Sequence, residues 1–289
     1  MTEKSNGEKK IETLVQDIEG LFLSPHQCQE PNLDWFAEQL KILLRRRFSE
    51  IRGERTLRMS NLGRGDRAVW YDIKGTHTKE EMPPHQYIKF LYGDLIELLL
   101  LFLVREAGHR IENEQKKVVV DGVVGHTDGI IDGHTVDCKS ASSYGFKKFK
   151  DETIYNDDAF GYIAQISGYN EGQGLSDRSA YFLVLDKTLG HLCLMEVPPM
   201  MQINVKDRIM RMKAVIASDA PPERCYDPIP EGKSGNLKLG VACSYCAHKF
   251  ECWKDMNGGK GLRQFIYSTG PVWLTGVEKE PRVMEVKGE

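Results

Sequence analysis

Three charged residues in one short stretch carry the chemistry of this chain. From Gly125 to Ser140 it reads Gly-His-Thr-Asp-Gly-Ile-Ile-Asp-Gly-His-Thr-Val-Asp-Cys-Lys-Ser. Asp137 and Lys139 are two apart, so on an extended strand both leave from one face, while Asp128 closes the strand before it. Carboxylates held together repel. A hard divalent cation relieves that by taking an oxygen from each, and the Cys138 backbone carbonyl between them can supply another. A lysine beside such an ion can orient or help deprotonate a water and steady negative charge on a phosphate. That combination is the chemistry of metal-assisted phosphodiester hydrolysis. Asp-x-Lys is also what an ordinary solvated strand with a weak surface ion pair shows, so the neighbouring elements have to decide.

Those elements are legible in outline. Polar and apolar residues alternate over Val118 to Val124, Gly129 to Ile131 and Thr135 to Ser140, with Asp132-Gly133 as a turn between the last two runs. This pattern predicts an antiparallel hairpin. After the break at Pro83-Pro84, the apolar run from Gln86 to Ala107 predicts a buried helix ended by Gly108. Glu97 lies in its middle, between Ile96 and four leucines. A carboxylate facing a core is costly unless paired or metal-bound, which makes Glu97 a third candidate ligand. Phe160 to Tyr169 predicts a helix with Gln165 and Tyr169 one turn apart. Tyr181 to Asp186 and Leu192 to Val197 read as strands, and Met201 to Ile216 as a helix.

Ahead of this core, residues 1–10 form a polar lead expected to be disordered. Ile11 to Leu23 and Trp35 to Phe48 carry helical stripes that predict an N-terminal helical cap over residues 11–56. Arg45-Arg46-Arg47 at the second helix end suits either phosphate contact or the helix dipole. After the hairpin, Ser140 to Lys150 interleaves Lys147, Lys148 and Lys150 with Tyr144, Phe146 and Phe149. It suits a loop holding a DNA backbone while an aromatic meets a base or sugar, or an ordinary solvated loop.

A second constellation is Cys243-x2-Cys246-x5-Cys252, with Cys225 as a fourth ligand. The set fits a four-iron, four-sulfur cluster or a zinc site of four thiolates, with His248 as a possible substitute ligand and a structural role in either case. Cys28, Cys138 and Cys193 stand apart and read as small buried residues.

Bulk properties set wide bounds. A chain of 289 residues with 40% apolar content can build a sizeable core. A net charge of −3 gives no overall basic signature, so nucleic-acid contact has to come from local clusters. Leu95 to Val104 is interrupted by Glu97 and too short to span a bilayer, and the N-terminus lacks a signal-peptide core. With an odd cysteine count, a cytoplasmic protein without membrane contact is expected.

The ordered set Gly93-Asp-Leu-Ile-Glu97, Gly125-His-Thr-Asp128, Asp137-Cys-Lys139 and Gln165-Ile-Ser-Gly-Tyr169 resembles the PD-(D/E)xK nuclease superfamily, in particular its RecB-like branch, from about residue 57 to residue 253. The resemblance implies an α/β fold: a restriction-endonuclease-like mixed central sheet flanked by helices, with a core over residues 57–220 and a cysteine-bound segment and tail over 221–289. It implies Mg²⁺ or Mn²⁺ held by Glu97, Asp128 and Asp137, Lys139 acting on the water, and Gln165 and Tyr169 placing a DNA strand. The branch often has histidine where Glu97 stands. Its iron–sulfur members draw a first cysteine from a segment similar to Arg58 to Tyr71, but Gly65 occupies that place here, so Cys225 would complete the cluster. Arg64 and Arg67 of that segment are candidate phosphate contacts. The activity implied is a DNA exonuclease acting on single- or double-stranded ends in recombination, repair or phage DNA processing. Its alternatives are a structure-specific endonuclease and a catalytically silent DNA-binding module.

Overall fold

The structure, a computed structural model, describes residues 9–49, 55–77 and 83–286. The expected disordered lead lies outside these up to residue 8, as do residues 50–54 of the expected cap. The principal helices are α1 (Leu14–Gly20), α2 (Glu30–Ser49), α3 (Asp66–Lys74), α4 (Pro84–Glu106), α5 (Ser143–Lys150), α6 (Tyr162–Gly172) and α7 (Val205–Ala217). Strands β1 (Ile111–Glu112), β2 (Lys117–Val120), β3 (Val123–His126), β4 (Gly129–Ile131), β5 (His134–Ala141), β6 (Ala180–Asp186) and β7 (Leu192–Val197) precede α7. After it come β8 (Ile229–Pro230), β9 (Leu237–Lys238), β10 (Arg263–Tyr267), β11 (Gly270–Gly276) and β12 (Glu285–Val286). The chain forms two compact units. One comprises Met1–Gly63 with Met82–Ile209, the other Arg64–Glu81 with Met210–Glu289.

The first unit is built on a mixed sheet ordered β1-β4-β5-β6-β7, in which β5 and β6 run parallel and the other pairs antiparallel. Asp132 and Gly133, with φ of 49° and 85°, close the β4–β5 hairpin as expected. Positive φ at both central positions matches the turn twist to the strand twist. The run Val118 to Val124 is not one strand. Asp121 and Gly122, at φ 46° and 78°, fold it into a second hairpin of β2 on β3.

Helices cover both faces of the sheet, which is why β6 is apolar at successive positions. On one face Leu14 and Ile18 of α1 and Leu100, Leu101 and Val104 of α4 pack with Val136, Cys138, Tyr181 and Leu183. On the other, Phe146 and Phe149 of α5 and Ile163 and Ile166 of α6 pack with Phe182 and Val184. The segment Ser143–Lys150, expected as a loop, is thus a helix, with the Ser142 hydroxyl accepting the Gly145 N–H at 3.2 Å. Phe146 and Phe149 are buried and do not face a nucleic acid. Before α6, the backbones of Gly63 and Gly161 meet so closely that a Cβ on Gly63 would lie 2.2 Å from the Gly161 Cα.

The second unit holds an antiparallel sheet ordered β12-β10-β11-β9-β8. Trp253, Phe265, Leu274 and Leu239 are buried in this unit. Helix α3 contributes Trp70, whose indole N–H donates to the Ser218 carbonyl at 3.0 Å.

Candidate active site

Strand β5 puts Asp137 and Lys139 on the face opposite Val136 and Cys138, as alternation demands. Lys139 Nζ lies 2.6 Å from Asp137 Oδ2, with the aspartate side chain 2% exposed and the lysine 18%. That oxygen is buried and has no aligned hydrogen bond, so the contact is one of charge. Asp128 sits just before β4, whose pairing with β5 ends at Gly129 opposite Val136. Beyond that point the Cys138 N–H donates to Asp128 Oδ2 at 2.7 Å, so a side chain takes over from the ladder.

Glu97 reaches the same place from α4. Its Oε1 accepts from Gln115 Nε2 at 2.7 Å. Gln115 lies in the turn between β1 and β2, where Asn113 and Gln115 hold left-handed backbones at φ 55° and 49°. Each such residue costs roughly 1–3 kcal/mol and persists where its surroundings fix it. A cleft of about 330 Å³ opens beside Glu97, lined also by Trp35, Gln39, Arg46, Asp94 and Gln115. Arg47, next to Arg46, is ion-paired with Asp94, its Nη2 2.6 Å from Oδ1.

The carboxylates feel one another. Burial, then the charge of Asp137 and of Asp94, pushes Glu97 up to about 7, against the smaller pull of Lys139 and the Gln115 hydrogen bond. Burial, then Glu97 and Asp137, raises Asp128 well above the ordinary carboxylate range. Burial also raises Asp137, and Lys139 offsets it only in part. Burial opposes the charge of Lys139, yet Asp137 and Asp128 outweigh it and hold the ammonium above its usual pKa. With all three carboxylates ionised against one ammonium, two negative charges are in excess. One divalent cation balances them, and Asp137 Oδ2, buried and met by Lys139 Nζ alone, keeps lone-pair capacity for it.

A hydrogen-bonded chain leads away from the lysine. Lys139 Nζ donates to Gln165 Oε1 at 3.3 Å, and Gln165 Nε2 donates to the Tyr169 hydroxyl at 2.8 Å. The one-turn spacing read from the sequence does bring these side chains together. Tyr169 fits because residue 125 is glycine: a Cβ there would sit 2.7 Å from both the Tyr169 ring and Met59 Sδ. Lys139 Nζ also lies over the Tyr162 ring at 4.9 Å. Sequence reasoning missed Tyr162 and Gln115. The first had a signal, standing one helical turn before Gln165; the second, in a polar turn, had none.

Compared with models of known protein families, the sequence matches none. It matches no curated protein either. Among solved structures, a crystal structure of SSO0001 aligns at TM-score 0.39 and 13% identity, over 75% of this chain and 93% of that one. A phage-related exonuclease from Haemophilus somnus 129PT aligns at TM-score 0.38 and 14% identity, over 57% of this chain and 92% of that one. Likenesses this distant carry no argument. The site rests on its own geometry.

The remaining candidate DNA contacts divide between α5 and the second unit. Lys147, Lys148 and Lys150 are on α5, where Lys148 pairs with Asp157 and lies 5.1 Å over the exposed Tyr144 ring. Arg64 and Arg67 belong to the second unit. Arg64 is paired with Asp72. Arg67 donates to the Pro222 carbonyl at 2.5 Å and to the Tyr71 hydroxyl at 3.2 Å.

In that unit Cys225 lies against Gly65, where a Cβ would meet its Sγ at 2.7 Å, and the Arg67 N–H points to the same sulfur at 3.4 Å. Burial, then the charges of Cys246, Cys252 and Cys225, pushes the Cys243 thiol up to about 12. His248 is engaged on both ring nitrogens, Nε2 with Asp72 Oδ1 and Nδ1 with His77 Nε2, each at 2.9 Å. Among the described residues, neither these thiols nor the three carboxylates supply three ligand atoms all within 4.8 Å of one another; His26, Cys28 and Glu106 do.

Proposed function

We propose that the protein is a divalent-metal-dependent deoxyribonuclease of the PD-(D/E)xK type, working as an exonuclease. The observation that carries this is the buried charge contact of Lys139 with Asp137 at 2.6 Å, beside two further carboxylates whose pKa values are raised. Asp128, Asp137 and Glu97 would hold Mg²⁺ or Mn²⁺, with the Cys138 carbonyl as a further donor. When bound, the ion supplies Lewis acidity and neutralises charge at the phosphate. Lys139, held in its charged form, donates to a phosphate oxygen or to the attacking water, so it steadies charge and orients and does not take the proton. Gln165 fixes the ammonium, and Tyr169 fixes Gln165. Arg46 in the cleft beside Glu97 suits a phosphate of the bound strand.

The test compares end-labelled linear DNA with circular DNA, each single- and double-stranded, with and without Mn²⁺. An exonuclease degrades only the linear forms and only with metal; cleavage of circles would make it an endonuclease. Asp137→Ala should abolish cleavage while the circular dichroism spectrum stays that of the wild type.

For the second unit we propose a structural four-iron, four-sulfur cluster on Cys225, Cys243, Cys246 and Cys252. Supporting it, Cys225 stands against Gly65, where the resembling nucleases carry their first cysteine, and the Cys243 thiol feels the charge of the other three. Anaerobically purified protein should then absorb near ~400 nm and contain iron; one equivalent of zinc with no such band would replace the cluster by a zinc ion on the same four thiolates.

A further inference from the structure

We propose a second cation site, of the zinc class, formed by His26, Cys28 and Glu106 in the first unit and independent of the nuclease reading. Its donor atoms are an imidazole nitrogen, a thiol sulfur and a carboxylate oxygen, all within 4.8 Å of one another. None of the three belongs to the carboxylate site or to the late cysteine cluster.

Glu106 is the unusual member. It is the last residue of α4, and its side chain is 1% exposed. The end of a long helix carries partial negative charge, so a carboxylate buried there is disfavoured twice, by desolvation and by the helix dipole. It is nevertheless well supplied with partners, from His26, Asn32 and the Gln29 backbone.

The partners divide the work between the two carboxylate oxygens. Asn32 Nδ2 donates to Oε1 at 2.7 Å, and the Gln29 N–H reaches Oε1 at 3.2 Å and Oε2 at 3.3 Å. His26 Nε2 meets Oε2 at 2.7 Å. Gln29 immediately precedes α2 and Asn32 is its third residue, so Glu106 also anchors the start of that helix. Anchoring the start of α2 accounts for the Gln29 N–H and the Asn32 amide. It does not account for an imidazole and a thiol, two residues apart, brought within reach of the same carboxylate.

The donor set selects the ion. A thiolate disfavours Mg²⁺ and Ca²⁺, an imidazole and a carboxylate are unsuited to an iron–sulfur cluster, and the mixture suits Zn²⁺ with water in a fourth position. Asn32 and Gln29 would act on the carboxylate as outer-shell hydrogen bonds act on metal ligands, fixing its orientation. The consequence is a staple tying residues 26–28, between α1 and α2, to the far end of α4.

Glu106→Gln is a poor probe because it disturbs the start of α2, so the discriminating variant is Cys28→Ser, with His26→Ala as the second. Metal-stripped full-length protein is titrated with Zn²⁺ alone against a chromophoric chelator, and thermal unfolding is followed with and without the ion. The wild type should bind one more equivalent than either variant, or the same number with one affinity at least about tenfold higher, and Zn²⁺ should raise its Tm more than theirs. Equal uptake, affinity and Tm shift in wild type and Cys28→Ser would overturn the site and leave Glu106 as the anchor of the start of α2. Neither result touches the nuclease reading, since DNA cleavage is not the readout.

Discussion

Asp128 Oδ2 accepts the Cys138 amide proton at 2.7 Å, at the point where β4 stops pairing with β5. One side chain thus takes over where the β4–β5 ladder ends and contributes a carboxylate to the site. Its folded pKa is raised well above the unfolded value, so in the absence of metal it subtracts stability once pH exceeds that unfolded value. Asp128→Asn keeps an acceptor oxygen and removes the charge. In EDTA at pH 8 it should raise Tm by a few degrees, and in a separate assay with Mn²⁺ its cleavage of linear DNA should be lost. A lower Tm with cleavage retained would mean that Asp128 is only a ladder substitute.

Glu97 gives the pH dependence. Asp137 and Asp94 face it with like charge, Lys139 with opposite charge, and Gln115 donates to it, the balance lying near 7. Below that value a proton occupies the carboxylate and competes with the ion. Mn²⁺ affinity measured by calorimetry should therefore be about tenfold weaker at pH 6 than at pH 8. Glu97→Gln should flatten that dependence. An affinity unchanged over the same range would remove Glu97 from the ligand set.

Gly125 tests the positioning chain without touching a charged group. A methyl group there must displace the Tyr169 ring or Met59. Gly125→Ala should cost about 1–3 kcal/mol of stability by overpacking and lower the cleavage rate, with Mn²⁺ affinity unchanged. If rate and stability both stay at wild-type values, the Lys139–Gln165–Tyr169 chain is not needed for turnover.

The proximity of Gly65 and Cys225 allows an exchange of ligands. Gly65 has φ −59° and ψ 138°, a backbone open to any residue, so only the Cys225 side chain stands in the way of a cysteine there. Cys225→Gly should lose the cluster absorption, and adding Gly65→Cys should restore it. Full absorption in Cys225→Gly alone would exclude Cys225 as a ligand.

How much of this the sequence carried depended on how local each cause was. The Asp132-Gly133 turn, the shared face of Asp137 and Lys139, and the Gln165–Tyr169 pair follow from periods of two and four, and all appear in the structure. Helix α5 had local signals that lysines masked: Ser142 as a cap, and Phe146 and Phe149 one turn apart, both buried. The Asp121-Gly122 turn was hidden inside an alternating run that reads equally as one strand. The parallel pairing of β5 with β6 joins residues more than forty positions apart, and no short-range pattern announces it. The late sheet is built from strands as short as two residues, too brief to show a period. Gln115 and Glu106 have roles set by partners far along the chain, so neither could be read from its neighbours.

The central claim is that the Asp137 and Lys139 side chains act together on a phosphate, and single-turnover cleavage of end-labelled linear DNA with saturating Mn²⁺ tests it most directly. Lys139→Ala, folded as judged by circular dichroism, should cleave at least ~10²–10³-fold more slowly, the loss that removing one stabilising donor brings. A rate within about threefold of the wild type would contradict the account.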